Sequence, residues 1–185
     1  PEMCRLAGRI SDGVLFFLMS PDGVRSALEH VREGAREVGR DPDDLDVVIR
    51  LPVALEEPSE LHAFMTRRLI TNYAITPGYN RSLARQGFGR EATGILEAWN
   101  AGHREDASAR VTDEMIDRFF LPPDAEEARD RVEDYRAAGV KTPVLMPMSF
   151  AGTPEERGER VTAVVEALAP SSATSVEGDG WGSRS

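Results

Sequence analysis

Three stretches of this chain are apolar almost without interruption: Val14 to Leu18, Leu45 to Leu55 and Thr142 to Met148. Continuous apolar runs, the second rich in β-branched residues, predict strands covered on both faces, as in parallel sheets. Elsewhere the apolar positions recur at helical spacing. The opening run from Pro1 predicts a short helix, followed by a turn at Ser11-Asp12-Gly13. Val24, Ala27, Leu28, Val31, Ala35 and Val38 predict a second helix. It opens on Ser20-Pro21-Asp22, with serine as cap and proline in the first turn, and stops at Gly39. Asp124 with Glu127 resembles a capping box and opens Ala125 to Ala138, ending at Gly139. Thr153-Pro154-Glu155-Glu156 is a clearer box, and the helix it launches is expected to bury Val161, Val164, Val165 and Leu168.

Strands alternating with helices of this size imply βαβ crossovers, hence an α/β fold with a parallel sheet. The alternation is broken from about 56 to 121 by a long, mainly helical insert carrying Phe64, Tyr73, Tyr79, Phe88, Trp99, Phe119 and Phe120. One domain is expected over 1–169. Residues 170–185, rich in Ser and Gly, are expected to form a flexible tail with too little apolar surface to fold. The chain starts at Pro1 without a methionine and enters the pattern abruptly, so a preceding segment is expected.

At 185 residues the chain is long enough for one real core. Its net charge of −10 disfavours nucleic acid and anionic membrane surfaces as partners. No apolar run reaches membrane-spanning length. A single cysteine, Cys4, excludes an internal disulfide and points to a reducing cytoplasm; its setting beside Leu6 and Ala7 predicts a buried structural thiol. His62 and His103 stand alone, without the spacing of a zinc site, and His30 is expected in solvent.

Leu6-Ala-Gly-Arg-Ile-Ser-Asp-Gly-Val resembles the luciferase-like monooxygenase superfamily, and within it the branch of coenzyme F420-dependent oxidoreductases and methylenetetrahydromethanopterin reductase. The helix from Val24 to Gly39 with Arg40-Asp-Pro-Asp-Asp, the Pro77-Gly-Tyr of the insert, and the block from Asp124 to Val140 ending in Pro143-Val-Leu-Met-Pro extend the resemblance to about Leu168. It implies the C-terminal portion of a (β/α)8 TIM barrel, with a helical insert after the second visible strand. A whole barrel takes about 250 residues, so only the last three strands are represented. The implied activity is that of a flavin- or F420-dependent oxidoreductase or monooxygenase, binding F420 or FMN and a small organic substrate, with a homodimer favoured. The alternative is a non-catalytic half-barrel or assembly module without cofactor.

Candidate site residues follow from both lines. The resemblance places the cofactor phosphate at the start of the first helix, on Pro1, Glu2 and Met3. Free N–H groups at a helix start have the right chemistry, although an ordinary helix start has the same appearance. Barrel active sites gather at the carboxyl ends of strands, which selects Phe17, Leu18, Met19 and Ser20 as substrate-facing or as plain core. Met146, Pro147 and Met148 hold the equivalent place after the last strand. Arg50 is a charge inside an apolar strand. Such a charge is costly unless paired: it holds an anionic ligand at the barrel mouth, pairs with a carboxylate such as Asp46, or points outward beneath a helix. Tyr79, with Tyr73, Arg81 and Phe88, belongs either to a lid over the pocket or to a helical unit packed on itself. No metal site and no catalytic residue is read from the sequence.

Overall fold

A computed structural model describes residues 1–55, 59–150 and 152–169 of the chain; the expected tail at 170–185 lies outside them. Helix α1 (Glu2–Ile10) leads into strand β1 (Gly13–Phe17), then α2 (Pro21–Glu37) and β2 (Asp46–Val53). Five helices follow: α3 (Glu60–Ala74), α4 (Pro77–Leu83), α5 (Gly89–Asn100), α6 (Arg104–Ala109) and α7 (Asp113–Phe119). The chain then returns through α8 (Ala125–Ala137), β3 (Thr142–Pro147) and α9 (Pro154–Leu168).

The expected caps account for the helix ends. Ser20 Oγ accepts from the Gly23 N–H at 3.1 Å. Thr153 and Glu156 form the reciprocal box. Asp124 caps α8 alone, accepting from the N–H groups of Glu126 and Glu127, with no return bond from Glu127. Gly39 and Gly139 take positive φ after α2 and α8, the left-handed turn that a side chain would strain. Val38 falls beyond α2 and is exposed.

The three strands are parallel, in the order β1-β2-β3, with Phe17 opposite Arg50 and Arg50 opposite Val144. Alternation along each strand sorts the sheet into two unlike faces. Phe16, Val47, Ile49, Leu51 and Val53 join Val24, Leu28 and Val31 of α2, Tyr135 of α8 and Val164 of α9 in one buried core. The opposite face carries Leu15, Phe17, Val48, Arg50, Val144 and Met146. Leu15 is 61% exposed and Val144 40%. The described residues therefore cover the second face only in part: at its carboxyl end Phe17 is 5% exposed and packs against Tyr73 of α3, while Leu15 and Val144 stay open. In α9, which lies against α8 and the edge strand β3, Val164 alone is fully buried and Val165 is 54% exposed.

The segment from α3 to α7 builds its own core from Ile70, Leu83, Ile95, Met115 and Phe119, and this core takes in Phe17 and Leu18 at the end of β1. α1 lies across α2 so closely that the two backbones touch. A Cβ on Gly8 would stand 2.0 Å from the Val31 carbonyl oxygen, and one on Gly34 2.0 Å from that of Arg5. Among the described residues no helix is long and apolar enough to cross a membrane.

Candidate functional site

Where β1 ends, Leu18 turns with φ of 51°, the one described non-glycine residue in the left-handed region, while buried to 1% exposure. Such a conformation costs about 1–3 kcal/mol and persists only where neighbours hold it. The holder is Gln86. Its Oε1 accepts from the Ser20 N–H at 2.8 Å, and its Nε2 donates to the Leu18 carbonyl at 3.1 Å. Gln86 sits in a kink over Ala84–Phe88, between α4 and α5, where Gly87 leaves helical geometry with φ of 99°. One amide thus fastens the helical segment to the carboxyl end of β1, which excludes a freely swinging lid at this point. Replacing Gln86 by alanine leaves two buried backbone groups unpaired, at a cost of about 1–3 kcal/mol. Urea unfolding and amide exchange at Ser20 measure it; unchanged exchange at Ser20 would refute the brace.

Beside this turn lies a cleft of about 750 Å³. Its floor is Leu15, Phe16, Phe17 and Met19; one wall is the start of α1 with the facing side of α2, and the other is α4 with the kink that follows it. Seven of the candidate site residues singled out in the sequence meet here: Pro1, Glu2, Met3, Phe17, Met19, Tyr79 and Arg81. Glu2 would repel an anion, but its side chain lies in solvent and pairs with Arg5 at 3.1 Å. Pro1 begins α1 with no side chain capping the first N–H groups. Cys4 and His30 also line the cleft, both half-buried, where burial and full solvation respectively were expected, because each borders the open space of the cleft.

The other sequence candidates, Leu18, Ser20, Arg50, Tyr73, Phe88 and Met146 to Met148, lie outside its lining. Ser20 is 4% exposed and is consumed as a cap and as a partner of Gln86, so the structure gives it a structural place. Arg50 is next to the cleft, not in its lining. It does not pair with Asp46, whose carboxylate accepts from the Thr142 hydroxyl at 3.2 Å. Instead its guanidinium donates to Met146 Sδ at 2.9 Å and stands over the Phe17 ring, 5.1 Å from the centroid. Phe17 meets Tyr73 edge-on at 4.9 Å, and Tyr73 meets Tyr79 at 4.8 Å. Burial, then the neighbouring Tyr73, raise the Tyr79 hydroxyl above its ordinary pKa, with Arg50 pulling the other way. A half-buried cation held by a thioether and a ring has unused hydrogen-bonding capacity. Gln86, Ser82 and Arg85, which also line the cleft, are not marked by the sequence. Gly87 inside a helical run is the available signal for the turn that aims them.

The model of the family described as luciferase-like monooxygenase matches residues 1–142. The chain belongs to this family. Within the luciferase-like monooxygenases it resembles the 5,10-methylenetetrahydromethanopterin reductase of Methanopyrus kandleri, 29% identical over 146 residues, covering 78% of this chain and 42% of the relative. The reductase of the same name from Archaeoglobus fulgidus is 25% identical over 145 residues, covering 76% of this chain and 43% of the relative. The chain thus spans less than half the length of these curated relatives. Among solved structures, the coenzyme F420-dependent tetrahydromethanopterin reductase from Methanopyrus kandleri superposes with a TM-score of 0.64 at 28% identity, over 87% of this chain and 46% of that one. An F420-dependent secondary alcohol dehydrogenase, solved with an F420-acetone adduct, shares the fold alone: TM-score 0.55, 16% identity, 92% and 47% coverage. The expected α/β architecture with a parallel sheet and the family resemblance are both met.

Proposed function

We propose that this chain is the C-terminal part of an F420-dependent oxidoreductase that passes a hydride to or from a small organic substrate. The observation that carries the reading is the cleft itself, where an uncapped helix start and an aromatic floor share one space at the carboxyl ends of parallel strands. The fit to F420 is chemical: the apolar floor of Leu15, Phe17 and Met19 suits a flat ring, and the N–H groups of Glu2 and Met3 suit a phosphate. Bound there, the cofactor would supply the hydride chemistry. The protein's own residues would seat the ring, hold its anionic end and exclude water. Arg50 would hold an anionic or carbonyl group of substrate or cofactor, with Tyr79 beside it. FMN, the other cofactor that the family resemblance implies, is not named by the relatives described above.

The open face of the sheet supports the partial-barrel part of this reading. Leu15 and Val144 are apolar and uncovered, and β1 and β3 are both edges among the described residues. Further βα units would close them into a barrel, with the 56–121 segment as its insert. A homodimer belongs to the same reading, supported by the Leu61, Phe64 and Met65 ridge that α3 leaves exposed. The same open face also favours one rival, a half-barrel assembly module without cofactor. Titrating the full gene product with F420, followed by the cofactor's own fluorescence, separates the two. Saturable binding supports the enzyme; no binding up to millimolar concentration rules it out.

A further inference from the structure

A second cavity, of about 690 Å³, lies between α3, α7 and α8 and shares no lining residue with the cleft. Its walls are mainly apolar, from Ala63, Ile116, Phe120, Leu121 and Pro122. At its back stands Thr66, 0% exposed. A threonine inside a helix can donate its hydroxyl to the carbonyl four residues earlier. Thr71 of the same helix does so, to Arg67 at 2.8 Å, and Thr162 of α9 does so, to Gly158 at 3.0 Å. The Thr66 hydroxyl makes no such bond and has no hydrogen-bond partner among the described residues. A buried hydroxyl without a bond destabilises the fold that contains it, and valine would fill the same space without that cost. Thr66 is thus better suited to holding something in the cavity than to holding the helix.

The charged groups around the cavity narrow what it can hold. Arg67 is engaged by Asp113 and donates to the Val111 carbonyl at 3.2 Å, and Arg131 donates to the Asp117 carbonyl at 3.2 Å, so both guanidinium groups have protein partners. Asp117 and Glu127 are exposed at the rim and would repel an anion. A single hydroxyl does not offset the burial of an ion of either sign. Cavities of about 300–1,000 Å³, apolar but for a few placed polar groups, are of the size and kind that take small molecules.

We propose that this cavity is a second ligand site, taking an uncharged small molecule with a compact apolar body and one carbonyl or hydroxyl oxygen that accepts from Thr66. The site goes beyond the F420 reading and does not depend on it.

Cyclohexanone, cyclohexanol and methylcyclohexane are titrated separately into the full gene product while the methyl resonances of Thr66, Ile116 and Leu15 are followed by NMR. The ketone and the alcohol should move Ile116 and Thr66 saturably. Thr66→Val, which keeps the shape and removes the hydroxyl, should weaken both about tenfold and leave the response of Ile116 to the hydrocarbon unchanged. The same variant should raise the urea midpoint, since it removes a buried group that has no bond. No saturable shift at Ile116 with any probe overturns the proposal, as does movement confined to Leu15 in the cleft. Equal affinity for the two oxygen-bearing probes in wild type and Thr66→Val overturns it too, and a lowered urea midpoint would show that the hydroxyl serves the fold instead. Failure of F420 to bind would sink the oxidoreductase reading and leave these outcomes untouched.

Discussion

Replacing Tyr135 by alanine is expected to destabilise the fold by about 4 kcal/mol, within the range for removing a buried aromatic side chain. Tyr135 is 1% exposed and is the largest fully buried side chain described. It fills the space between α8 and the covered face of the sheet, and its hydroxyl donates to the Met19 carbonyl at 2.9 Å. The phenylalanine variant keeps the packing but strands that carbonyl, so its cost is smaller, about 1–2 kcal/mol. The hydroxyl also predicts a pH dependence. Burial, the largest cause, pushes its pKa up from 10.0 to about 12. Below pH 10 both folded and unfolded chains carry the proton, and this group contributes no slope. Between pH 10 and 12 the unfolded chain loses the proton first, so stability falls by about 1.4 kcal/mol per pH unit. Urea titrations at pH 9, 10 and 11 would show it, and Tyr135→Phe should remove that part of the fall. An identical alkaline slope in this variant would refute the assignment. Because the hydroxyl holds Met19, loss of Tyr135 also loosens the floor of the cleft.

Gly34→Ala is expected to cost about 2–3 kcal/mol, against intuition for an exposed-looking helix. Intrinsic helix propensity alone would favour alanine by about 1 kcal/mol. Here the added carbon would fall 2.0 Å from the Arg5 carbonyl oxygen and 2.7 Å from the Arg5 Cα, both fixed backbone atoms. No rotamer relieves a clash between a Cβ and a main chain, so α1 must move off α2, and overpacking of this kind costs about 1–3 kcal/mol or more. Gly8→Ala meets Val31 in the same way. The double variant should cost less than the sum, since one separation of the helices relieves both contacts. Denaturant unfolding decides the matter: unchanged or increased stability in either single variant would show that the helices are not in backbone contact. The displaced α1 carries Pro1, Glu2 and Met3 with it, so F420 affinity should fall in the same variants.

What is legible in the sequence, and what is not, divides along physical lines. The three strands, the Ser20 and Thr153 caps and the glycine stops are readable because each depends on a few neighbouring residues. Arg50 stands out because a charge in an apolar strand violates local pattern, yet the side chain it meets is not Asp46, the carboxylate a local reading offers: Met146 is a neighbour across the sheet and 96 positions away in the chain. Gln86 leaves no pattern at all, since one polar residue on a helical turn is ordinary until its distant partners are placed. The partial cover of the second sheet face, Phe17 buried but Leu15 and Val144 open, is equally hidden, because an apolar run looks the same whether or not a second layer lies over it. The cleft is half legible. Its floor and the start of α1 follow from strand ends and family resemblance, but the wall supplied by the helical segment depends on tertiary docking.

The order of the strands has a consequence for how the chain assembles on the ribosome. β1 and β2 are separated only by α2 and its short connections, so they can pair soon after Val53 emerges. β3 lies about 90 residues further on. At about 5–20 residues per second it arrives roughly 5–20 s later. During that interval β2 waits with a free edge, and the intervening helices, having a core of their own around Ile95 and Met115, have time to condense before the third strand docks. Synthesis rate, rather than the closing of a long loop, would then set when this sheet is complete.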